Sequence, residues 1–234
     1  MFILKKKNIV GLMLCTLVLS ASVPMLLGIE ATPRAVFGGD MVALSQVNSS
    51  QSLDAALVDE LMLQDNVEAA SAEISCFSVI NNFPVVVRGV DLNNFLEIEN
   101  SSIARGEVDN PDRFAVVGKK LASKIKLDVG DRFLLTGSSS PAVYQMEIDA
   151  VYQGRYSEDE LLVPLEYARK MAGLGGDSVL FIRVRTSNQT ALVEDLEESE
   201  SPLVVTDSSG SITAVNTELS QEEREQQQLA IQYL

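Results

Sequence analysis

Beyond residue 40 the apolar positions switch repeatedly between a period of two and a period near 3.6, and each switch predicts an element. "MVALSQV" (41–47) reads as a strand. In "SLDAALVDELML" (52–63), Leu53, Ala56, Leu57, Leu61 and Met62 recur at helical spacing and Ser52 stands where a cap would, so an amphipathic helix is predicted. "VEAASAEISCFSVI" (67–80) alternates and then runs apolar, Asn81-Asn82 is a turn signal, and "FPVVVRGVD" (83–91) returns as the second strand of a hairpin. "LNNFLEIENSSIARGEVDNPDR" (92–113) holds turn formers without a clear period.

Residues 115–135, "AVVGKKLASKIKLDVGDRFLL", read as strand, helix, turn and strand. "YQMEIDAVYQGRY" (144–156) alternates as one strand with Met146, Ile148, Ala150 and Tyr152 on one face. "ELLVPLEYARKMAGL" (160–174) reads as a short strand broken by Pro164, then a helix closed by Gly173. "SVLFIRVRT" (178–186) is a strand, "NQTALVEDLEESE" (188–200) a helix and "PLVVTD" (202–207) a last short strand. "ELSQEEREQQQLAIQYL" (218–234) is polar and helical until Leu229-Ala230-Ile231.

This order predicts an α+β class. Its outer parts, 31–86 and 177–215, resemble a split β-α-β subdomain, and 87–176 forms an inserted β-rich subdomain. Residues 216–234 form a helix leading out of the domain.

The start of the chain adds a membrane element. Lys5-Lys6-Lys7 precede "IVGLMLCTLVLSASVPMLLGI" (9–29), uncharged until Glu30 and long enough to cross about 30 Å of hydrocarbon as a helix. Residues 1–30 are therefore expected to be a transmembrane helix with a cytoplasmic N-terminus, leaving the main domain extracytoplasmic. A cleaved signal peptide shares the basic start, and Ser20 and Ser22 offer small residues before a cut. The apolar run extends past them through Ile29, which favours a retained span. The sequons at Asn48, Asn100 and Asn188 fit an exterior domain without establishing glycosylation.

Composition narrows the chemistry. A formal charge of −15 opposes nucleic-acid phosphates, so no nucleic-acid partner is expected. The chain has no histidine, which removes the usual neutral-pH base and zinc ligand. Of its two cysteines, Cys15 lies in the apolar N-terminal run, so Cys76 has no disulfide partner in the outer domain and reads as a small buried hydrophobe. Gly118-Lys119-Lys120 invites comparison with a phosphate cradle. It lacks the second glycine at the required spacing and a Ser or Thr after Lys119, and reads as a structural turn. Glu158-Asp159-Glu160 and Asp109/Asp112 lack the spacing of a calcium loop, and Glu147 and Asp149 do not stand out as a catalytic pair. Asp54, Asp59 and Glu60 read as the polar side of a helix, and Ser138-Ser139-Ser140 as a polar loop without a base. No residue is assigned to catalysis, to a cofactor or to a metal, and no enzyme activity is expected. Leu121, Ala122 and Ile125 should face the core while Lys119, Lys120, Lys124 and Lys126 stay solvated.

A run of linked segments then resembles a known family. "FPVVVRGVD" (83–91), "FLEIENSSIARGE" (95–107), "FAVVGKKLASKIKLDVGDRFLL" (114–135), "MEIDAVYQGRYSEDELLVPLEYARKMAGL" (146–174) and "SVLFIRVRT" (178–186) are together similar to the extracytoplasmic core domain of FtsX-like/MacB-like ABC transporter permeases. The resemblance implies a porter-like subdomain over 31–86 and 177–215 with an inserted subdomain over 87–176. It implies as partners a cytoplasmic ABC ATPase subunit, a second permease subunit, the lipid membrane and an extracytoplasmic protein. The implied function is coupling ATP hydrolysis elsewhere to export, lipoprotein release or transmembrane signalling. The helix over 216–234 would lead toward a second span, as in a truncated permease. The alternative is a membrane-anchored or secreted binding domain with no transport role.

Overall fold

The computed structural model describes residues 40–46, 52–137, 140, 143–155, 157–197, 202–208 and 211–216. The expected N-terminal span, Asn48 and the helix expected over 218–234 lie outside the described residues. Among the described residues no helix is long and apolar enough to cross a membrane.

The elements follow in the order β1 (Met41–Gln46), β2 (Leu53–Asp54), α1 (Leu57–Leu61), β3 (Val67–Ile80), β4 (Phe83–Val90), α2 (Leu92–Ile98), β5 (Ser102–Gly106), β6 (Val116–Gly118) and α3 (Lys119–Ile125). Then come β7 (Arg132–Thr136), β8 (Val143–Glu147), β9 (Ala150–Gln153), β10 (Glu160–Pro164), α4 (Leu165–Ala172), β11 (Ser178–Val179), β12 (Phe181–Thr186), α5 (Gln189–Glu197), β13 (Leu203–Asp207) and β14 (Ile212–Val215). Ten strands form one mixed sheet in the order β14-β13-β1-β12-β3-β4-β10-β6-β9-β5. β4–β10 and β6–β9 pair in parallel and the other neighbours run antiparallel. Two small ribbons, β7–β8 and β2–β11, stand beside it.

The sheet is the middle layer because both of its faces bury apolar side chains. On one face Val42, Ile74, Val87 and Leu161 pack with Leu61 of α1, Leu121 and Ile125 of α3, Met171 of α4, Leu192 of α5 and Phe133 of β7. On the other, α2 lays Phe95 against Val90, Val116, Tyr152 and Leu162, and Ile98 against Met41 and Ala69. Two local devices set this geometry. Asn81 and Asn82, at φ 50° and 66°, turn β3 back into β4, a conformation asparagine tolerates well. Gly89 brings α4 onto β4, since a Cβ there would stand 2.1 Å from the Ala168 Cβ.

The strands at 41–46, 67–80 and 83–90, the strand–helix–turn–strand at 116–136 and the helix closed by Gly173 in the left-handed region agree with the sequence pattern. Five expectations need correction. The helix expected over 52–63 is a strand of two residues and a helix of five. Leu53 pairs with Val179, and the Asp54 carboxylate, not Ser52, accepts the Ala56 amide at 2.9 Å, so tertiary pairing overrides the helical period. The segment 92–113 contains α2, capped by the Asp91 carboxylate on the amides of Asn93 and Asn94, and strand β5. The strand expected over 144–156 is two strands in two sheets. Asp149 bonds to the backbone of Ala115 at the break, so Met146 and Ile148 pack on one face and Ala150 and Tyr152 on the other. The strand over 178–186 divides into β11 and β12, and β14 follows the strand expected to be last.

A buried charge cluster as the candidate functional site

The face of the sheet under α2 holds five charged side chains beside its apolar patch. Strand pairing places Ser75 opposite Arg88, Glu73 opposite Phe181 and Leu162 opposite Arg88. Since side chains alternate across a strand, Glu73, Arg88, Glu160 and Arg183 fall on one face of four adjacent strands. Glu99 reaches them from the C-terminal end of α2.

Arg88 donates from Nη2 to Glu160 Oε1 at 2.7 Å and from Nη1 to Glu73 Oε2 at 2.8 Å, and its Nε also donates to Glu160. Arg183 Nε donates to Glu73 Oε1 at 2.7 Å, and its Nη1 donates to Glu99 Oε1. Arg183 Nη2 lies 2.7 Å from Glu73 Oε1 but is not aligned as a hydrogen-bond donor, so that contact is one of charge. Each guanidinium also rests on an aromatic ring: Arg88 is 5.6 Å from the Phe181 centroid and Arg183 is 5.2 Å from that of Phe95.

The electrostatics follow from burial and pairing. Burial opposes the charge of Arg88, but the Glu160 and Glu73 carboxylates outweigh it and hold the group well above its ordinary value. Arg183 behaves likewise through Glu73 and Glu99. Three carboxylates face two guanidiniums, so one negative charge is in surplus. Glu99 is the carboxylate placed to shed it, because its Oε2 is buried without a hydrogen-bond partner among the described residues. Burial pushes the Glu99 carboxyl up, against the opposing pull of Arg183. Burial and then Glu160 raise the phenol of Tyr152 well above its usual range. The cluster pins strands to one another and to α2.

Sequence reasoning missed this cluster, although a signal existed: Arg88 is the one charge of β4, and Glu73 and Arg183 stand between apolar or small residues on β3 and β12. The acidic run Glu158-Asp159-Glu160 gives no sign that its last member turns inward, yet Glu160 is buried on β10, while Glu158 lies 3.7 Å from Lys120. Cys76 is buried, as expected, and burial pushes its thiol up to about 11. Gly118 has an ordinary φ of −66°, so the turn does not require its freedom. It is needed because a Cβ would stand 2.3 Å from the Glu158 carbonyl oxygen. Leu121, Ala122 and Ile125 face the core, and Lys119, Lys120, Lys124 and Lys126 are exposed. Asp109 and Asp112 are exposed, Glu147 pairs with Arg132 at 2.7 Å, and Asp59 and Glu60 are exposed on α1. Ser138 and Ser139 lie outside the described residues, and Ser140 donates to the Lys170 carbonyl. Asn100 is exposed after α2, and Asn188 uses its side-chain oxygen to accept the Ala191 amide. Among the described residues no group of three potential ligands could hold a metal.

The sequence model of the MacB-like periplasmic core domain matches residues 8–199. The chain is similar in structure to the periplasmic region of MacB from Actinobacillus actinomycetemcomitans, at 14% identity and TM-score 0.55, covering 77% of this chain and 94% of that one. It is also similar to the extracellular domain of the noncanonic ABC-type transporter YknZ from Gram-positive bacteria, at 14% identity and TM-score 0.50, covering 68% of this chain and 90% of that one. Among curated proteins, no sequence matches this chain.

Proposed function

Because this chain belongs to the MacB-like periplasmic core domain family, we propose that it is the extracytoplasmic coupling domain of an ABC transporter permease, driven by a cytoplasmic ATPase. In this reading residues 1–30 span the membrane with the N-terminus inside, and a second permease subunit completes the transporter. Residues 31–86 and 177–215 form the porter-like part and 87–176 the inserted part. The work done is export, lipoprotein release or signal transmission to an outside partner.

The observation that supports coupling is the buried cluster. Glu73 and Arg183 come from the first part, Glu160 and Glu99 from the second, and Arg88 from the strand where the two meet in the sheet. A load applied to one part is passed to the other through charge-assisted hydrogen bonds, which fix the geometry between the two parts. Such a device needs no acid–base group.

Recovery of the tagged full chain from its native cell in mild detergent, with mass spectrometry of what accompanies it, tests the proposal. An ABC-type ATPase and further permease spans are expected. Repeated recovery of extracytoplasmic proteins alone would replace the coupling reading with that of a binding domain.

A further inference from the structure

β5 is the outermost strand of the ten-stranded sheet, and its residues are mostly exposed. Beneath it, between α3 and the β5–β9 pair, lies a cleft of about 630 Å³. The floor is small and apolar, with Ala104, Ala122 and Val151, and the rim carries Arg105, Lys119 and Lys126. We propose that this cleft receives an acidic peptide segment of an extracytoplasmic partner, added as an extended strand alongside β5.

Three observations converge on this occupant. The first is charge. The chain has a formal charge of −15, yet four of its eight lysines lie between residues 119 and 126. Lys119 and Lys126 have no acidic partner among the described residues. Arg105 is held at 2.9 Å by Asp128, but both side chains are 58% exposed, so a ligand carboxylate can exchange with Asp128 at little cost. The second is spacing. Lys119 opens α3 and Lys126 is its left-handed C-cap, so the two bracket a helix of seven residues, about 10.5 Å long. Flexible lysines over that span reach carboxylates two to four residues apart on one face of a strand, about 7–13 Å. The third is the open edge. Among the described residues β5 bonds to β9 on one side only, with a register shift between Ile103 and Arg105 that turns the extra residue, Ala104, to the cleft. A sheet edge beside a basic rim suits a peptide backbone carrying alternate acidic side chains. A phosphate polymer would use neither the edge nor the apolar floor.

The partner's extracytoplasmic placement rests on the proposed function, but peptide binding involves no ATPase, so its failure would leave the coupling proposal untouched. Fluorescein-labelled peptides of alternating Glu and Thr, or alternating Lys and Thr, are titrated against the purified full chain by anisotropy. The Glu peptide is expected to bind, more weakly at high salt, and the Lys peptide not to bind. K119E/K126E is expected to weaken binding at least tenfold while circular dichroism stays native, with K119A/K126A between them. N-methylation of alternate peptide amides is expected to weaken binding by a similar factor. Equal binding of the two peptides, or binding unchanged in a folded K119E/K126E, overturns the proposal. Full affinity of the N-methylated peptide overturns the strand geometry. Binding of polyphosphate to the same lysines without peptide binding overturns the assignment to a peptide.

Discussion

Replacing Arg88 by Met should destabilise the protein by about 3–5 kcal/mol, the cost of leaving a buried carboxylate without its cation. Arg88 is fully buried and donates to Glu160 twice and to Glu73 once, so its loss strands the Glu160 carboxylate, whose side chain is only 10% exposed. Glu73 keeps Arg183 at 2.7 Å and is affected less. Methionine fills much of the arginine stem, so the lost charge dominates over the lost volume. The decisive variant is R88M/E160L, which removes the stranded carboxylate. Apolar replacement of a whole buried pair is commonly neutral or stabilising. The double variant should therefore return to within about 1–2 kcal/mol of the parent, well above R88M alone. Urea unfolding followed by circular dichroism reads both, with unchanged m-values as the condition for comparing them. A double variant no more stable than R88M would refute the stranded-charge argument and make packing the cause.

Four further outcomes follow from the same geometry. Burial, opposed by Arg183, holds the Glu99 carboxyl above its ordinary range. Its contribution is thus fully present below the unfolded value, about 4.3, and is lost as pH rises through the folded value. The stability of the parent relative to Glu99→Gln should therefore fall as pH rises above about 4.3, and parallel pH profiles would contradict a raised carboxyl. Asp91→Ala removes the acceptor for the amides of Asn93 and Asn94 and should cost about 1 kcal/mol in thermal or urea unfolding. Gly118→Ala would set a methyl 2.3 Å from the Glu158 carbonyl oxygen, so a loss of about 2 kcal/mol or more is expected, against a few tenths for the unobstructed Gly175→Ala. In a Cys15→Ser background, the Cys76 thiol, raised to about 11 by burial, should resist alkylation at pH 8 until urea unfolds the chain.

Much of the sheet was legible because its strands carry period-two or fully apolar runs bounded by turn residues, as in the hairpin around Asn81-Asn82. What escaped depended on distant partners. Leu53 has a helical period with Leu57 and Leu61, but the strand it joins begins at Ser178, so no local pattern announces it. α2 is seven residues long and starts with Leu92-Asn93-Asn94, too short for a period to emerge; its clearest mark is the cap Asp91, which reads equally well as the end of β4. The charged cluster was the largest omission. Glu73 and Arg183 stand 110 residues apart, and a charge in a strand does not by itself say whether it meets water or a partner. The lysines of α3 were placed correctly by period alone, since their contrast with Leu121, Ala122 and Ile125 is local.

The cluster also answers a problem that the apolar strands create. β4 runs Val85-Val86-Val87 and β10 runs Leu161-Leu162-Val163, and both strands lie between covered faces. Strands apolar on both faces lack the alternation that specifies register, and a slip of one residue would exchange valine for valine at little cost. Arg88 and Glu160 break that degeneracy. A one-residue slip would send one of the two to the opposite face, where Val87, Leu161 and Val163 offer it no partner. The hypothesis is that the charges contribute uniqueness of pairing more than stability, the best-attested use of buried polar groups. The proposed coupling role would require that property, because a slipping parallel pair would dissipate the movement. R88M/E160L separates the two contributions: its stability should approach that of the parent, while the amides of β4 and β10 should broaden or double in NMR spectra. Single, sharp amide signals in the double variant would show that packing alone fixes the register.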